Sequence, residues 1–240
     1  MDNRLSQTFV VPCYDTDSRC RLKPSSFMDF AQEIANVHAD VLGFGYDDLQ
    51  KTRTVWVLSR MHLHFNRYPM WREEVKLTTW HKGAEGLFYL RDFLMTGSGG
   101  ETLVAATTSW VVLNIDTRRI SRDSEVLDNG TACHDNALEH SCDKVRIPAG
   151  ANAEKVGEHK VSYSDVDMNG HTNNARYIVW ALDALGYDFA VNNPVKDLKI
   201  NFNNETRPGD TVELYRAEAG GRIYIEGRCG GKSAFCVEME

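Results

Sequence analysis

No run of about 18 uninterrupted apolar residues occurs in this chain, so no membrane-spanning helix is expected. None of the six cysteines is spaced C-x-x-C with another, and no export signal accompanies them, so reduced thiols are expected. The first residues, Met1-Asp2-Asn3-Arg4-Leu5-Ser6-Gln7-Thr8, carry no apolar signal core and no Arg/Ser-rich transit character. Strand-like sequence begins near Phe9-Val10-Val11, which points to a protein working in a cytoplasm. Positive charge is also short. A net charge of −7 argues against general nucleic-acid binding, while leaving room for a local basic patch facing an acidic partner.

What is present fits a folded chain of 240 residues with 42% apolar and 25% charged residues, enough for one large domain or two small ones. A helix is expected from Ser25 to Leu42, capped by Pro24-Ser25-Ser26 and stopped by Gly43 and Gly45. Strands follow from Val55 toward Phe65, then at 74–82, 87–95 and 103–114, with glycine-rich turns between them. From about 115 to 158 the pattern dissolves into a polar connector, with a short helix expected near 136–140. The order then repeats: a strand near 159–164, a helix over 173–185, and strands at 195–203, 211–217, 222–229 and 232–238.

Residues repeat along with the elements. Phe65-Asn66 precedes Val75-Lys76-Leu77 by ten positions, as Phe202-Asn203 precedes Val212-Glu213-Leu214. Tyr14-Asp15-Thr16-Asp17 echoes Tyr163-Ser164-Asp165-Val166-Asp167. Two copies of helix followed by antiparallel sheet indicate an α+β duplication. Each helix is apolar around most of its circumference, as a helix wrapped by a curved sheet must be. The expected division is a first unit over 1–125, a connector over 126–155 and a second unit over 156–240.

One segment carries candidate chemistry. Asp165 to Gly170 alternates oxygen-bearing side chains and ends in glycine like a calcium loop, but its twelfth position is Arg176 where a bidentate Glu is required. Strand before and helix after also fail that motif. The alternative is catalytic. Asp167, Asn169 and His171 alternate just before a helix start. A histidine moves protons near neutral pH, an Asn amide orients water or an oxyanion, and a helix N-terminus offers unpaired N–H groups. Plain turn-building and helix capping by the Asx residues is the competing explanation.

The stretch Asp165-Val166-Asp167-Met168-Asn169-Gly170-His171-Thr172-Asn173-Asn174-Ala175-Arg176-Tyr177-Ile178 closely resembles the signature of the acyl-ACP thioesterases, which release the acyl chain from acyl carrier protein. Asp116-Thr117-Arg118-Arg119 and the strand ending Phe202-Asn203-Asn204-Glu205 are similar to the same family. The resemblance implies a double hotdog, two tandem repeats each wrapping a sheet around a helix, in agreement with the duplication. It implies hydrolysis of fatty acyl-ACP to free fatty acid, with no metal or organic cofactor and with acyl carrier protein as partner, by a monomer or homodimer. It places Asp167, Asn169, His171 and Glu205 at catalytic positions: Glu205 as base on a water held by Asn169, His171 assisting proton transfer or polarising the thioester, Asp167 fixing the Asn/His geometry. Whether Glu205 or His171 is the base stays open. Plant members carry a Cys after this Glu, whereas this chain has Thr206, which favours attack by water.

The first copy lacks the set. Tyr68 stands where Glu205 would, and Ser18-Arg19 follow where an Asn/His pair is needed, so one active site per chain is expected. The first helix could then line an acyl tunnel through Met28, Ala31, Ile34 and Ala35, although plain core packing suits these residues equally. Arg118, Arg119 and Arg122 could dock the acidic carrier or form a solvated turn. Cys133, His134, His140 and Cys142 match no common zinc spacing, and His62 with His64 reads as a solvated strand face. A hotdog acyl-CoA thioesterase and a non-catalytic acyl- or ACP-binding protein are the alternatives, a dehydratase on the same fold a more distant one. Chain-length preference is not legible.

Overall fold

The computed structural model describes residues 3–121 and 130–240. Ten strands form a single antiparallel sheet around two central helices. The first half contains β1 (Arg4–Val10), α1 (Pro24–Leu42), α2 (Tyr46–Lys51), β2 (Thr54–Phe65), β3 (Glu74–Glu85), β4 (Phe88–Gly97) and β5 (Thr102–Asn114). The second contains β6 (Glu154–Lys160), α3 (Asn174–Asp183), α4 (Tyr187–Asn192), β7 (Asp197–Phe202), β8 (Thr211–Ala219), β9 (Arg222–Cys229) and β10 (Lys232–Met239). The spatial order β1-β3-β4-β5-β2-β7-β10-β9-β8-β6 reads the same from either end once the halves are exchanged. The duplication inferred from residue spacing is therefore a double hotdog, its pseudo-twofold axis passing between β2 and β7.

Strand periodicity explains how the halves share a core. In β2 the alternate residues Met61, Leu63 and Phe65 turn inward and are buried, while His62 and His64 point to the outer face. Across the seam Met61 pairs with Ile200 and Leu63 with Leu198. One continuous apolar cluster joins these residues to Phe27, Met28, Ala31 and Ile34 of α1 and to Tyr177, Ile178 and Ala181 of α3. A Leu63→Ala cavity there would cost about 2–5 kcal/mol.

Local details differ from expectation in physical ways. Helix α1 starts at Pro24, with Lys23 as N-cap and no side-chain cap bond; Ser25 and Ser26 are buried within the first turn. Proline at the first helical position needs no N–H and presets φ. Gly43, at φ 80, ends the helix as expected. The strand expected over 159–164 is instead β6, starting at Glu154, followed by a 3-10 turn at Tyr163–Asp165. The short helix expected near 136–140 is absent; those residues are bends and irregular chain. The described part of the connector crosses the outer face of the sheet. Trp80 Nε1 donates to the Asp135 carbonyl (2.8 Å), the Ala137 N–H to Asp92 (2.7 Å) and the Val145 N–H to Asn201 (2.9 Å). Such bonds satisfy buried polar groups without requiring regular structure.

All six cysteines are free thiols. Burial pushes the Cys142 and Cys236 thiols up to about 12. Outside the core, His62 Nε2 and His64 Nδ1 each lie 2.9 Å from one oxygen of Asp197, so this pair is tied to a carboxylate across the seam rather than simply solvated. Among the described residues no group of three or more His, Cys, Asp or Glu is arranged to hold a metal, and no helix is long and apolar enough to cross a membrane.

Candidate active site

Between β6 and α3 the chain makes one tight loop. Ser162 and Asp165 form a capping box over the 3-10 turn, and Asp165 also accepts from His159 Nε2 at 2.8 Å. The Asp167 N–H donates to the His171 carbonyl (3.0 Å) and the Gly170 N–H to the Asp167 carbonyl (3.0 Å), closing a turn that needs φ +75 at Gly170. The Asp167 carboxylate accepts from the Asn169 N–H (2.8 Å) and from Asn169 Nδ2 (3.5 Å). Asp167 thus builds the turn and aims Asn169; its tie to His171 runs through the backbone.

Glu205 comes from the segment after β7. That segment is fastened to β10 by the Asn203 and Asn204 N–H groups, which donate to the Ala234 carbonyl at 2.8 and 3.0 Å. Thr206 locks it to the loop between β6 and α3. Fully buried, its hydroxyl meets Thr172 Oγ1 at 2.7 Å and Tyr177 OH at 3.0 Å, and its carbonyl accepts from the Thr172 N–H at 3.0 Å. This join brings Glu205 Oε2 to 3.7 Å from His171 Nε2. The predicted quartet therefore falls into two pairs, Asp167 with Asn169 and His171 with Glu205.

Two arginines hold the Glu205 carboxylate. Arg207 donates to Oε1 at 2.9 Å, and Arg118 donates to the same oxygen. Partial burial alone would raise this carboxyl; the Arg118 and Arg207 hydrogen bonds and the nearby His171 outweigh it, and the group titrates below the ordinary glutamate value. Arg118 reaches Glu205 from a turn after β5. Asn114 Oδ1 accepts from the Asp116 and Thr117 N–H groups there, and Arg118 itself adopts φ 57. Its guanidinium is thus on the site carboxylate. Arg119 is exposed beside it, and Arg122 lies outside the described residues.

Helix α3 supplies donors. Asn173 is its N-cap, accepting from the Ala175 N–H at 2.8 Å. The Asn173 N–H donates to the Asp165 carbonyl and the Arg176 N–H to the Asn173 carbonyl. Among the described residues, no acceptor engages the Asn174 N–H, the first of the helix.

The first half repeats this loop without its chemistry. Asp17 accepts from the Arg19 N–H (2.8 Å), and its own N–H donates to the Arg21 carbonyl (2.8 Å), with Cys20 at φ 61 where Gly170 stands. Arg19 and Arg21 therefore occupy the Asn169 and His171 places, Tyr68 the Glu205 place, and Pro24 the Asn174 place, where it has no N–H to offer. Arg21 is spent on Asp17 (2.8 Å) and the Val191 carbonyl (2.7 Å), and Tyr68 OH on the Val195 carbonyl (2.6 Å).

Of the candidate tunnel residues, Met28, Ala31 and Ile34 are sealed in the core. Ala35 lines a crevice, with Asn36, Ala39, Phe44, Trp56 and Tyr89 among its walls and an open volume of about 380 Å³, solvent at its mouth included.

Two family models match this chain. The N-terminal domain of acyl-ACP thioesterase covers residues 2–129 and the C-terminal domain residues 149–228. The chain belongs to the acyl-ACP thioesterase family. Among curated acyl-ACP thioesterases, it is 26% identical over 224 residues to oleoyl-acyl carrier protein thioesterase 1 of Arabidopsis thaliana, covering 86% of this chain and 62% of that protein. To the palmitoyl-acyl carrier protein thioesterase of Gossypium hirsutum it is 29% identical over 212 residues, covering 83% and 51%. The chain thus spans between about half and three-fifths of these relatives' lengths. An acyl-ACP thioesterase from Bacteroides thetaiotaomicron superposes with TM-score 0.88 at 22% identity, covering 99% of this chain and 97% of that one. The 12:0-ACP thioesterase from Umbellularia californica gives 0.86 at 22%, covering 99% and 96%. Both are likenesses of fold.

Proposed function

We propose that this chain hydrolyses the thioester of a fatty acyl group on acyl carrier protein, releasing free fatty acid and the carrier thiol in a cytoplasm. The observation that carries the reading is the meeting of Glu205 and His171, 3.7 Å apart, in the half whose central helix begins with an N–H that no acceptor among the described residues engages.

The chemistry follows from those groups. A water held by Glu205 and Asn169 attacks the thioester carbonyl, and its proton passes to the Glu205/His171 pair. Negative charge on the carbonyl oxygen is met by the Asn174 N–H and the positive end of α3. The tetrahedral species collapses with cleavage of C–S, and the pair returns the proton to the sulfur. No added cofactor is needed. The arginines keep Glu205 charged, which suits orienting and polarising water more than strong proton abstraction. That leaves the division of base work with His171 to kinetics. A thiolate nucleophile has no place here, since Thr206 is committed to Thr172 and Tyr177.

Gln32, Ala35 or Asn36, and Ala39 follow one another along one face of α1. The crevice lined by Ala35, Asn36 and Ala39 can carry the acyl chain along α1 to about 10 Å beyond Gln32, at 1.5 Å of rise per residue. Of the three arginines expected to dock an acidic carrier, Arg119 is exposed beside the Arg118 turn, where it can meet the carrier's charge. Thiol release from a panel of acyl-ACPs and from matched acyl-CoAs, measured side by side, tests the reading. Faster release from the carrier is expected. Preference for acyl-CoA would make the chain a hotdog acyl-CoA hydrolase, and release from neither would make it a binding protein.

A further inference from the structure

We propose that Gln32, on the central helix of the first half, is a positioning residue for the active site of the second. The inference rests on the thioesterase reading above. Gln32 Oε1 accepts from Asn174 Nδ2 at 2.9 Å, and Gln32 Nε2 approaches Asn173 Oδ1 at 3.4 Å. One side-chain amide therefore spans the first two residues of the α3 N-terminus from across the pseudo-twofold axis.

Each bond has a mechanical effect. Donation from Nε2 favours the Asn173 orientation in which Oδ1 faces inward, the orientation that accepts from the Ala175 N–H at 2.8 Å. Acceptance by Oε1 fixes the side chain of Asn174, the residue whose backbone N–H has no acceptor among the described residues. The cap uses the Ala175 N–H and the grip on Asn174 orients the remaining one. An oxyanion donor is effective when its direction is set before charge develops. Gln32 is half-buried, and among the described residues its side-chain amide bonds to Asn173 and Asn174 alone, so it serves the α3 N-terminus. The first half cannot use the reciprocal arrangement: at its helix start Pro24 has no N–H to orient.

The arrangement makes the site bipartite. Arg118 and Gln32 both come from the first half, one holding the Glu205 carboxylate and the other the α3 N-terminus. The half without the Asn/His/Glu set supplies positioning for the site of the other half.

The test uses the full-length protein and an acyl-ACP that the wild type hydrolyses. Q32A is expected to lower kcat by about ten- to a hundredfold, the scale of a misplacement near 1 Å, with KM little changed and a melting midpoint within a few degrees of wild type. The double variant Q32A/N174A is expected to be no more than about twofold slower than N174A alone, because the shorter of Gln32's two bonds, and the one that aims the N–H, is to Asn174, while Asn173 keeps its own bond to the Ala175 N–H. Q32E discriminates further. A carboxylate there gives up the long contact to Asn173 but keeps its acceptance from Asn174 and favours the helix N-terminus in the resting protein, while opposing a second negative charge on the reacting oxygen. Its melting midpoint should hold or rise while kcat falls, a divergence that a packing role does not produce. Wild-type kcat in Q32A overturns the proposal, as do multiplicative losses in the double variant or activity in Q32E that tracks its stability. Absence of thiol release by the wild type would instead overturn the thioesterase reading itself.

Discussion

Replacing Asn174 by proline separates the backbone donor of α3 from everything else at the site. Proline belongs at the first position of a helix, where its missing N–H breaks no intrahelical bond. Pro24 occupies that position in the first half. The preceding residue must be extended, and Asn173 already sits at φ −60, ψ 136. The substitution is therefore compatible with the backbone, and a compatible proline stabilises by about 0.4–1 kcal/mol through the unfolded chain. It removes the N–H assigned to the oxyanion. Loss of one such donor costs about 2.7–4 kcal/mol in the transition state, or roughly 10²–10³ in kcat. Loss of the side-chain amide is common to N174P and N174A, so the ratio of their kcat values isolates the N–H. Thermal unfolding and steady-state thiol release from acyl-ACP together form the assay. N174P should be folded at least as stably as N174A and slower by about two to three orders of magnitude. Equal kcat in the two variants would refute the assignment of this N–H.

Arg118→Ala removes one of the two hydrogen bonds that lower the Glu205 carboxyl, so the acid limb of the kcat/KM profile should move to higher pH. The sign follows from linkage: the depressed carboxylate favours the folded state above its ordinary titration range, and this is lost as pH falls through the lowered value. An unmoved limb would show that Arg118 does not govern Glu205. Thr206→Cys should yield an enzyme whose activity resists thiol alkylation, because position 206 faces Thr172 and Tyr177 in the interior; inactivation by iodoacetamide that the wild type does not share would contradict this. Thr206→Val leaves Thr172 and Tyr177 one partner short, costing about 1–3 kcal/mol, and should lower the melting midpoint by about 2–4 °C per kcal/mol.

Sequence made the duplication legible because spacing survives in the apolar positions: Phe65 and Phe202 end equivalent strands at the seam. Asp167, Asn169 and His171 were legible because one short loop holds all three. Glu205 was legible only through the family resemblance, and its meeting with His171 depends on Thr206, which reads as an ordinary threonine until its buried bonds are known. Arg118 read as part of a basic run suited to docking, because nothing local says that a turn at φ 57 carries its side chain to a carboxylate 87 residues away. Gln32 was hidden for a similar reason. A polar residue on a mostly apolar helix looks like the solvated stripe, and its partners lie across the duplication. Met28 and Ile34 were equally ambiguous between tunnel and core, since apolarity marks both; both are buried in the main apolar cluster. The extra short helices α2 and α4, each six residues long, are too brief to leave a periodic signal.

The most direct measurement is release of free fatty acid from acyl-ACP by the wild type and by Glu205→Ala under identical conditions, with melting midpoints recorded for both. Glu205 is partly exposed, as is its neighbour His171, and its two arginine partners are exposed, so its loss should change stability little. The expected result is a hydrolysing wild type and a folded variant slower by about 10²–10⁴, the range for a group that moves the reacting proton. Near-normal hydrolysis by the folded variant would contradict the assignment of water activation to Glu205.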